Sequence, residues 1–416
     1  MRKWILIAAG AILLIAAALV TAYVVVRQQQ SEDVRGSSTV EFVPSEPAPA
    51  PAPEGPGVVW PTYRFGPDRL GVAQGVSLRP PFRRAWTFHA RSLVEFPPVI
   101  AHGRLFLATN HGDVFAISAK TGKRAWVKHT GRCQAASPAI GPKLLYVSFL
   151  NKHPCNRGKQ KGLHGELVAY YVGSGKVRWI KKIGPSESSP VVDAGYVYVA
   201  DWNGRVWSFV AGSGKVHWAT KLKGKVKGAP ALSGSRLYVG DYSGRLYALD
   251  ARNGKVLWQA SSQARLGGRG TFYSTPAAAY GRVYIGSTDG KVYSFGATSG
   301  KLRFAQSTGG YVYSSPTVWR KRIYVGSYSK TFFCLDAATG DVVWKFKANG
   351  PVSGSPTIVD GVVYFATLKE RTYALDARTG KQVWSYPDGK YSPVVADKTR
   401  LYLVGHALVY GMEEKK

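Results

Sequence analysis

The chain has 416 residues, 45% of them hydrophobic, which excludes disorder over most of its length and leaves room for one large or two ordinary domains. Its 24 Tyr, 12 Trp and 47 Gly against only 2 Met favour short strands and tight turns over helices, so the expected fold class is all-β. A formal net charge of +32, all of it borne beyond residue 56, excludes an acidic surface and directs attention to anionic polymers, lipid head groups or simple solubility.

Residues 1–3 form a short stub that is expected on the cytoplasmic side. Trp4 to Val26 (WILIAAGAILLIAAALVTAYVVV) carries no charge, and as a helix rising about 1.5 Å per residue it would span the roughly 30 Å bilayer core. It predicts an uncleaved transmembrane anchor, because the apolar run exceeds that of a signal peptide and no small-x-small cleavage site ends it. No Cys lies nearby to carry a lipid. Residues 27–56 turn polar and then Pro/Ala-rich (VPSEPAPAPAPEGPG), the composition of an extended spacer. Residues 57–82 are a lead-in to the domain that fills 83–416.

That domain is built from a repeat. Turn glycines fall at Gly122, Gly175, Gly214, Gly254, Gly300, Gly340 and Gly380, with spacings of 53, 39, 40, 46, 40 and 40 residues, the period of four-stranded propeller blades. Within one period, APALSGSRLYVGDYSGRLYALDARNGKVLWQASS (229–262) divides into four short apolar or alternating runs separated by Gly-, Ser- or Asn-containing turns, predicting strands a to d. Seven units begin near Pro98, Pro138, Pro190, Pro230, Pro276, Pro316 and Pro356. An eighth (392–413) ends after three strands, while RRAWTFHA (83–90) offers a fourth strand without the three that should precede it. Joining the termini removes both open sheet edges and predicts an eight-bladed ring.

The spacing AxDxxTGxxxW resembles the repeat of the pyrroloquinoline quinone (PQQ) propeller superfamily. It is met in full by Ala374, Asp376, Thr379, Gly380 and Trp384, and nearly so by the copies ending at Trp258 and Trp344. WPTYRFGPDRLG (60–71) also looks like that superfamily's lead-in. The resemblance implies a propeller whose repeated residues are structural: Asp and Thr brace the turn, Gly supplies positive φ, and Trp86, Trp126, Trp179, Trp218, Trp258, Phe304, Trp344 and Trp384 dock neighbouring blades. It does not decide function, since similar proteins include calcium- and PQQ-dependent dehydrogenases and non-catalytic scaffolds such as the assembly lipoprotein BamB. The resemblance also places the propeller outside the cytoplasm.

Site signals in the sequence are sparse. Loop carboxylates Glu187, Asp201, Asp241, Asp289 and Glu370 are scattered one per loop, short of the converging oxygens calcium needs, and no catalytic or cofactor-binding residue is assigned. Loops joining strands b to c and d to a share one face, the top, where both length excesses fall (150–166 and 261–276). Trp202, Tyr242, Asp201, Asp241, Arg265, Arg269, Lys369 and Arg371 are the candidate contact patch there.

Cys133 and Cys155 are expected to form a disulfide. Zinc held by Cys133, His153, Cys155 and His164 is the alternative, and Cys334 is expected as a buried free thiol. Lys123, Lys176, Lys215, Lys255, Lys301 and Lys381 follow the turn glycines and should ring the bottom face, with Asp341 as the one break. The expected function is a non-catalytic protein-binding or assembly scaffold of the cell envelope, with envelope or membrane proteins as partners and no cofactor. Binding of anionic polymer or lipid, and PQQ/calcium-dependent dehydrogenation, are the alternatives. Nucleic acid is disfavoured because the aromatics alternate with core positions rather than forming a stacking platform.

Overall fold

The computed structural model describes residues 2–47, 57–155, 163–265, 268–392 and 394–415, without the side chains of 2–8, 25–31 and 265. Seven four-stranded antiparallel sheets and one of five strands are arranged as the eight blades of a propeller. Blade 1 runs from Val99–Ala101 to Arg124–His129, and blade 7 from Thr357–Val359 to Gln382–Tyr386. Blade 8 takes three strands from the C-terminus and its outermost from Phe82–His89, which pairs with Leu408–Glu414 in a register that sets Trp86 opposite Gly411. Closure by the two termini is thus as expected.

Burial explains the sequence pattern. Strands b and c are buried on both faces, because blades stack front to back, so they read as continuous apolar runs such as Val362–Thr367. Outer strands such as Val216–Lys221 are largely exposed, with the docking Trp218 as the one buried position.

The repeated motif joins one blade to the next. Trp218 lies over Gly254 of the following blade, where a Cβ would meet its ring at 2.6 Å, and its Nε1 donates to Ala251 O at 2.9 Å. The same pairing recurs from Trp86 to Gly122, Trp126 to Gly175, Trp179 to Gly214, Trp258 to Gly300 and Trp344 to Gly380. Each glycine is therefore required twice, for its positive φ and for the ring above it. Phe304 covers Gly340 without a polar handle. Trp384 faces the blade in which the chain ends meet, where no turn glycine exists, and packs edge-on against Phe82 at 5.5 Å.

The lead-in is the hub. Val58–Trp60 adds to the innermost strand of blade 1, and the carbonyls of Pro61, Pro67, Asp68, Leu70 and Gly71 accept from Ile140, Leu232, Ala278, Val318 and Ile358 at 2.7–3.0 Å. Thr62 Oγ1 donates to Pro190 O in blade 3, so one short segment holds the inner strands of seven blades. Arg64 and Arg69, 1% and 0% exposed, fill the centre. Arg69 donates to Pro230 O (3.0 Å), Ser189 O (3.0 Å), Pro190 O (3.1 Å) and Tyr63 O. Arg64 reaches Pro316 O, Pro356 O and Thr317 Oγ1. Burial lowers both guanidinium pKa values, to about 10 for Arg64 and about 9 for Arg69.

One expectation about the N-terminal region is met only in part, and a second is corrected. Arg2–Ser31 is a helix, and Ile12, Leu13, Leu14 and Ile15, which cover a full turn, are 60–73% exposed. Among the described residues no helix is long and apolar enough to cross a membrane. The transmembrane anchor expected at 4–26 extends at both ends beyond the side chains described.

The spacer expected over 27–56 is, in its first part, a docked strap; residues 48–56 lie outside the described residues. Val34 and Ala305 exchange both backbone hydrogen bonds (2.9 and 2.8 Å), Arg35 pairs with Asp341 at 2.8 Å, and Arg303 Nε donates to Glu41 Oε2 at 2.8 Å. Phe42 stacks on Tyr280 at 5.5 Å. The two departures from the repeat, Phe304 and Asp341, lie where the strap crosses. Phe304 is fully buried beside Ala305, and Asp341 takes Arg35 instead of repelling it as a lysine would.

Cys334 is buried between Tyr324 and Trp344 in blade 6, and burial pushes its thiol pKa up to about 12. It should resist iodoacetamide at pH 8 in the native protein and react fully in denaturant. Rapid native labelling, read by mass spectrometry, would show this packing to be wrong.

Candidate functional site

A small funnel with a cavity volume of about 60 Å³ opens at the centre of the top face. Its floor is Tyr63 of the hub, whose hydroxyl donates to Ser355 Oγ at 2.8 Å. Its wall is made by the d-to-a links, each contributing the residue three places before the proline that starts a blade: Glu95, Glu187, Lys227, Tyr273, Tyr313 and Ser353. Tyr391, two places before Pro393, completes the wall, and only Ala135 of blade 2 does not line it. Below this ring the links are stitched together by hydroxyls: Thr275 N donates to Ser315 Oγ (3.0 Å) and Ser315 N to Ser355 Oγ (2.8 Å). The fold repeats the position and the sequence varies its chemistry.

Lys227 is held in an aromatic cage. Its Nζ lies 4.6 Å from the Trp202 ring centre, 5.5 Å from Tyr242 and 5.6 Å from Tyr273, and 3.2 Å from Glu187 Oε2. Burial raises the Glu187 pKa against the opposing pull of Lys227. No hydrogen bond or ion pair reaches the Glu95 carboxylate among the described residues. Burial, reinforced by the charge of Glu187 and opposed by Lys227, lifts its pKa to about 7.

From this cage a track of rings runs outward. Tyr242 is 6.1 Å from Tyr273, Tyr273 5.0 Å from Tyr313, and Tyr313 5.0 Å from Tyr328, ending at Tyr311, which is 51% exposed.

The structure thus brings Trp202 and Tyr242 of the expected patch together through Lys227. Asp201 and Asp241 are fully buried and serve instead as loop braces. Asp201 accepts from Gly184 N (2.9 Å), Arg205 N (3.1 Å) and Trp207 Nε1 (2.8 Å). Asp241 accepts from Gly224 N (2.8 Å), Ser243 N (2.9 Å) and Arg245 N (3.0 Å). Arg269 sits on a small hairpin, Ala264–Arg265 with Gly268–Arg269, and bonds to Ser262 O; the side chain of Arg265 lies outside those described. Lys369 is exposed on the blade 7 loop, and Arg371 bonds to Ser385 Oγ at 3.3 Å; neither lines the funnel. The six turn lysines are exposed on the bottom.

Cys133 and Cys155 form a disulfide with Cα atoms 5.4 Å apart, closing the base of the long blade 2 loop, of which 156–162 lie outside the described residues. The expected zinc alternative is not assembled. Both sulfurs are bonded to each other, and His164 turns to Arg132, 3.3 Å from its Nη2.

The funnel's donor set does not fit the PQQ/calcium pair. PQQ is a flat tricarboxylate, and the wall meets it with two carboxylates and one lysine already paired to one of them. Among the described residues the only group of three His, Cys, Asp or Glu side chains able to share a metal is Cys133, His153 and Cys155, far from calcium's all-oxygen preference.

No curated protein matches the chain by sequence. BamB from Moraxella catarrhalis superposes with a TM-score of 0.65 at 15% identity, covering 80% of this chain and 100% of that one. Quinohemoprotein alcohol dehydrogenase from Comamonas testosteroni gives 0.70 at 14%, covering 86% and 81%. The computationally designed protein Ika8 gives 0.65 at 10%, covering 80% and 100%. An enzyme, an assembly factor and a designed protein superpose alike, so these likenesses establish the fold alone. The family model described as Outer membrane protein assembly factor BamB matches residues 83–189, 163–310, 243–328 and 306–414, which together span the propeller, and the chain belongs to that family.

Proposed function

We propose that the protein is a non-catalytic binding scaffold of the cell envelope, held at a membrane by its apolar N-terminal helix, with the top face of the propeller as its protein-binding surface. The observation that carries this reading is the aromatic track from Tyr242 to Tyr311, with ring-to-ring spacings of 5.0–6.3 Å, which Lys227 joins to the Trp202 ring 4.6 Å away. Tyrosine and tryptophan gathered at the centre of a rigid face are what protein interfaces use as anchors. The helix adds support, since exposed Leu and Ile on every side of a turn are favoured in lipid and costly in water. Family membership supports an envelope role, BamB being an assembly factor by its description.

In-cell crosslinking of the full-length protein, with mass spectrometry of what co-purifies, tests the proposal. A reproducible protein partner crosslinked to top-face peptides is expected, and Tyr311→Ala combined with Tyr242→Ala should reduce its capture at least about tenfold. Capture unchanged by both substitutions would remove the face from consideration. Salt-sensitive retention on anionic vesicles, with no protein captured, would favour the polyanion reading over this one.

A further inference from the structure

We propose that the funnel mouth binds one basic side chain, a lysine ammonium or arginine guanidinium presented by a protein partner, with the Glu95 carboxylate as its counter-ion. This rests on the scaffold reading and assigns the chemistry by which the partner is recognised. Three observations lead to it.

First, the funnel lining runs against the charge of the molecule: a protein of net charge +32 lines this concavity with two carboxylates and a single lysine, while the guanidiniums of Arg64 and Arg69 below it are turned to backbone carbonyls and lie outside the lining. Lys227 is ion-paired with Glu187, and among the described residues no cation lies within ion-pair distance of Glu95. Second, the wall already shows that it accommodates an ammonium group, since Lys227 sits among Trp202, Tyr242 and Tyr273 with Glu187 behind it. The surroundings of Glu95 offer the same ingredients, with Phe96 and Tyr391 on the same wall and Tyr63 on the floor. Third, the site is a concavity at the centre of the aromatic face, where a protruding side chain would be surrounded by the rings of the interface and shielded from water. A divalent metal would need more oxygen ligands than the mouth offers, and an anion would face two carboxylates.

Glu95 carries the pH dependence. Its charged neighbours are Glu187 and Lys227, while Tyr273 and Tyr391, which also face it, have pKa values raised by burial and stay neutral between pH 6 and 8. With its pKa near 7, Glu95 is about one-tenth ionised at pH 6 and about nine-tenths at pH 8. Glu187, also raised, acts in the same sense. Affinity for a cation should therefore rise about tenfold across that interval.

The test uses full-length protein in detergent, titrated calorimetrically with the capped peptide acetyl-Gly-Arg-Gly-amide. Arginine keeps its charge throughout, so any pH effect reports the protein. Binding is expected at pH 8, about tenfold weaker at pH 6, at least about tenfold weaker in Glu95→Gln, and absent for the Gly-Glu-Gly analogue. Equal binding by wild type and Glu95→Gln, a flat pH profile, or preference for the acidic peptide would each overturn the proposal. The wild-type pH profile keeps the test decisive even if Glu95→Gln misfolds. Crosslinking Glu95→Gln in cells separates the two claims. A partner captured as well as by wild type defeats the cation site and leaves the scaffold standing, whereas no partner in wild type defeats the scaffold whatever the peptide does.

Discussion

Arg69→Met should destabilise the propeller by about 3–5 kcal/mol, among the largest single-residue effects in the protein. The substitution keeps an unbranched stem but withdraws the donors to Pro230 O, Ser189 O, Pro190 O and Tyr63 O, all in a fully buried centre where, of the four, Pro190 O keeps a second donor in Thr62 Oγ1. Those carbonyls come from blades 3 and 4 and from the hub itself, so the loss loosens the inner edge of the ring rather than one blade. Solvation of the arginine in the unfolded state is the opposing term. It is outweighed because removing one partner strands several acceptors at once, whereas replacing the whole network would not. Urea denaturation followed by tryptophan fluorescence measures the change. A shift below about 1 kcal/mol would show that the lead-in rests on the ring without holding it.

Trp86→Ala is the second, with an expected loss of about 3–5 kcal/mol. Trp86 occupies the strand through which the N-terminus closes blade 8. It lies over Gly122 of blade 1, donates to Ala119 O at 3.2 Å and faces Gly411 across the sheet. Alanine would leave a cavity at the one seam that chain connectivity does not reinforce, where the pairing of Phe82–His89 with Leu408–Glu414 is the only covalently unlinked outer ladder. Trp384→Ala is the control. It also removes an indole, but with no turn glycine beneath it the packing lost is smaller, and the same denaturation experiment should give a clearly smaller shift. Equal losses would mean that the seam carries no special weight.

The strap has a functional consequence. Val34 is hydrogen-bonded to Ala305 only three residues after the helix ends at Ser31, so the chain between them spans at most about 10 Å. With the helix in a membrane, blade 5 would be held close to the surface, a much shorter leash than an extended spacer of the whole 27–56 segment would give.

Residues 83–414 announced themselves through repetition. A period near 40 and a turn glycine recur seven times, with a docking tryptophan in all but the copy that carries Phe304, so chance is a poor explanation and the blade unit can be read from spacing alone, whereas the seat of each glycine beneath the preceding blade's indole is visible only in the structure. Closure was legible for a related reason: an incomplete last unit and an orphan first strand have one solution that leaves no open edge.

The site was much less legible because it lies where the repeat varies. Glu95, Glu187, Lys227 and Tyr273 hold the same place before the blade proline, and that register was the signal available, but divergence at one position has no meaning until the ring brings all of them to one axis. Asp201 and Asp241 look as exposed as Trp202 and Tyr242 in sequence, and only the backbone amides converging on them make them internal braces. The hub arginines and the strap follow the same logic, since both are single copies whose partners are carbonyls and side chains a hundred or more residues away. Sequence by itself determined the blades, their number and their closure, because those depend on short-range patterns repeated many times. Tertiary structure alone decided the plug, the docked strap and the funnel lining, because each is a long-range meeting of residues that occur once.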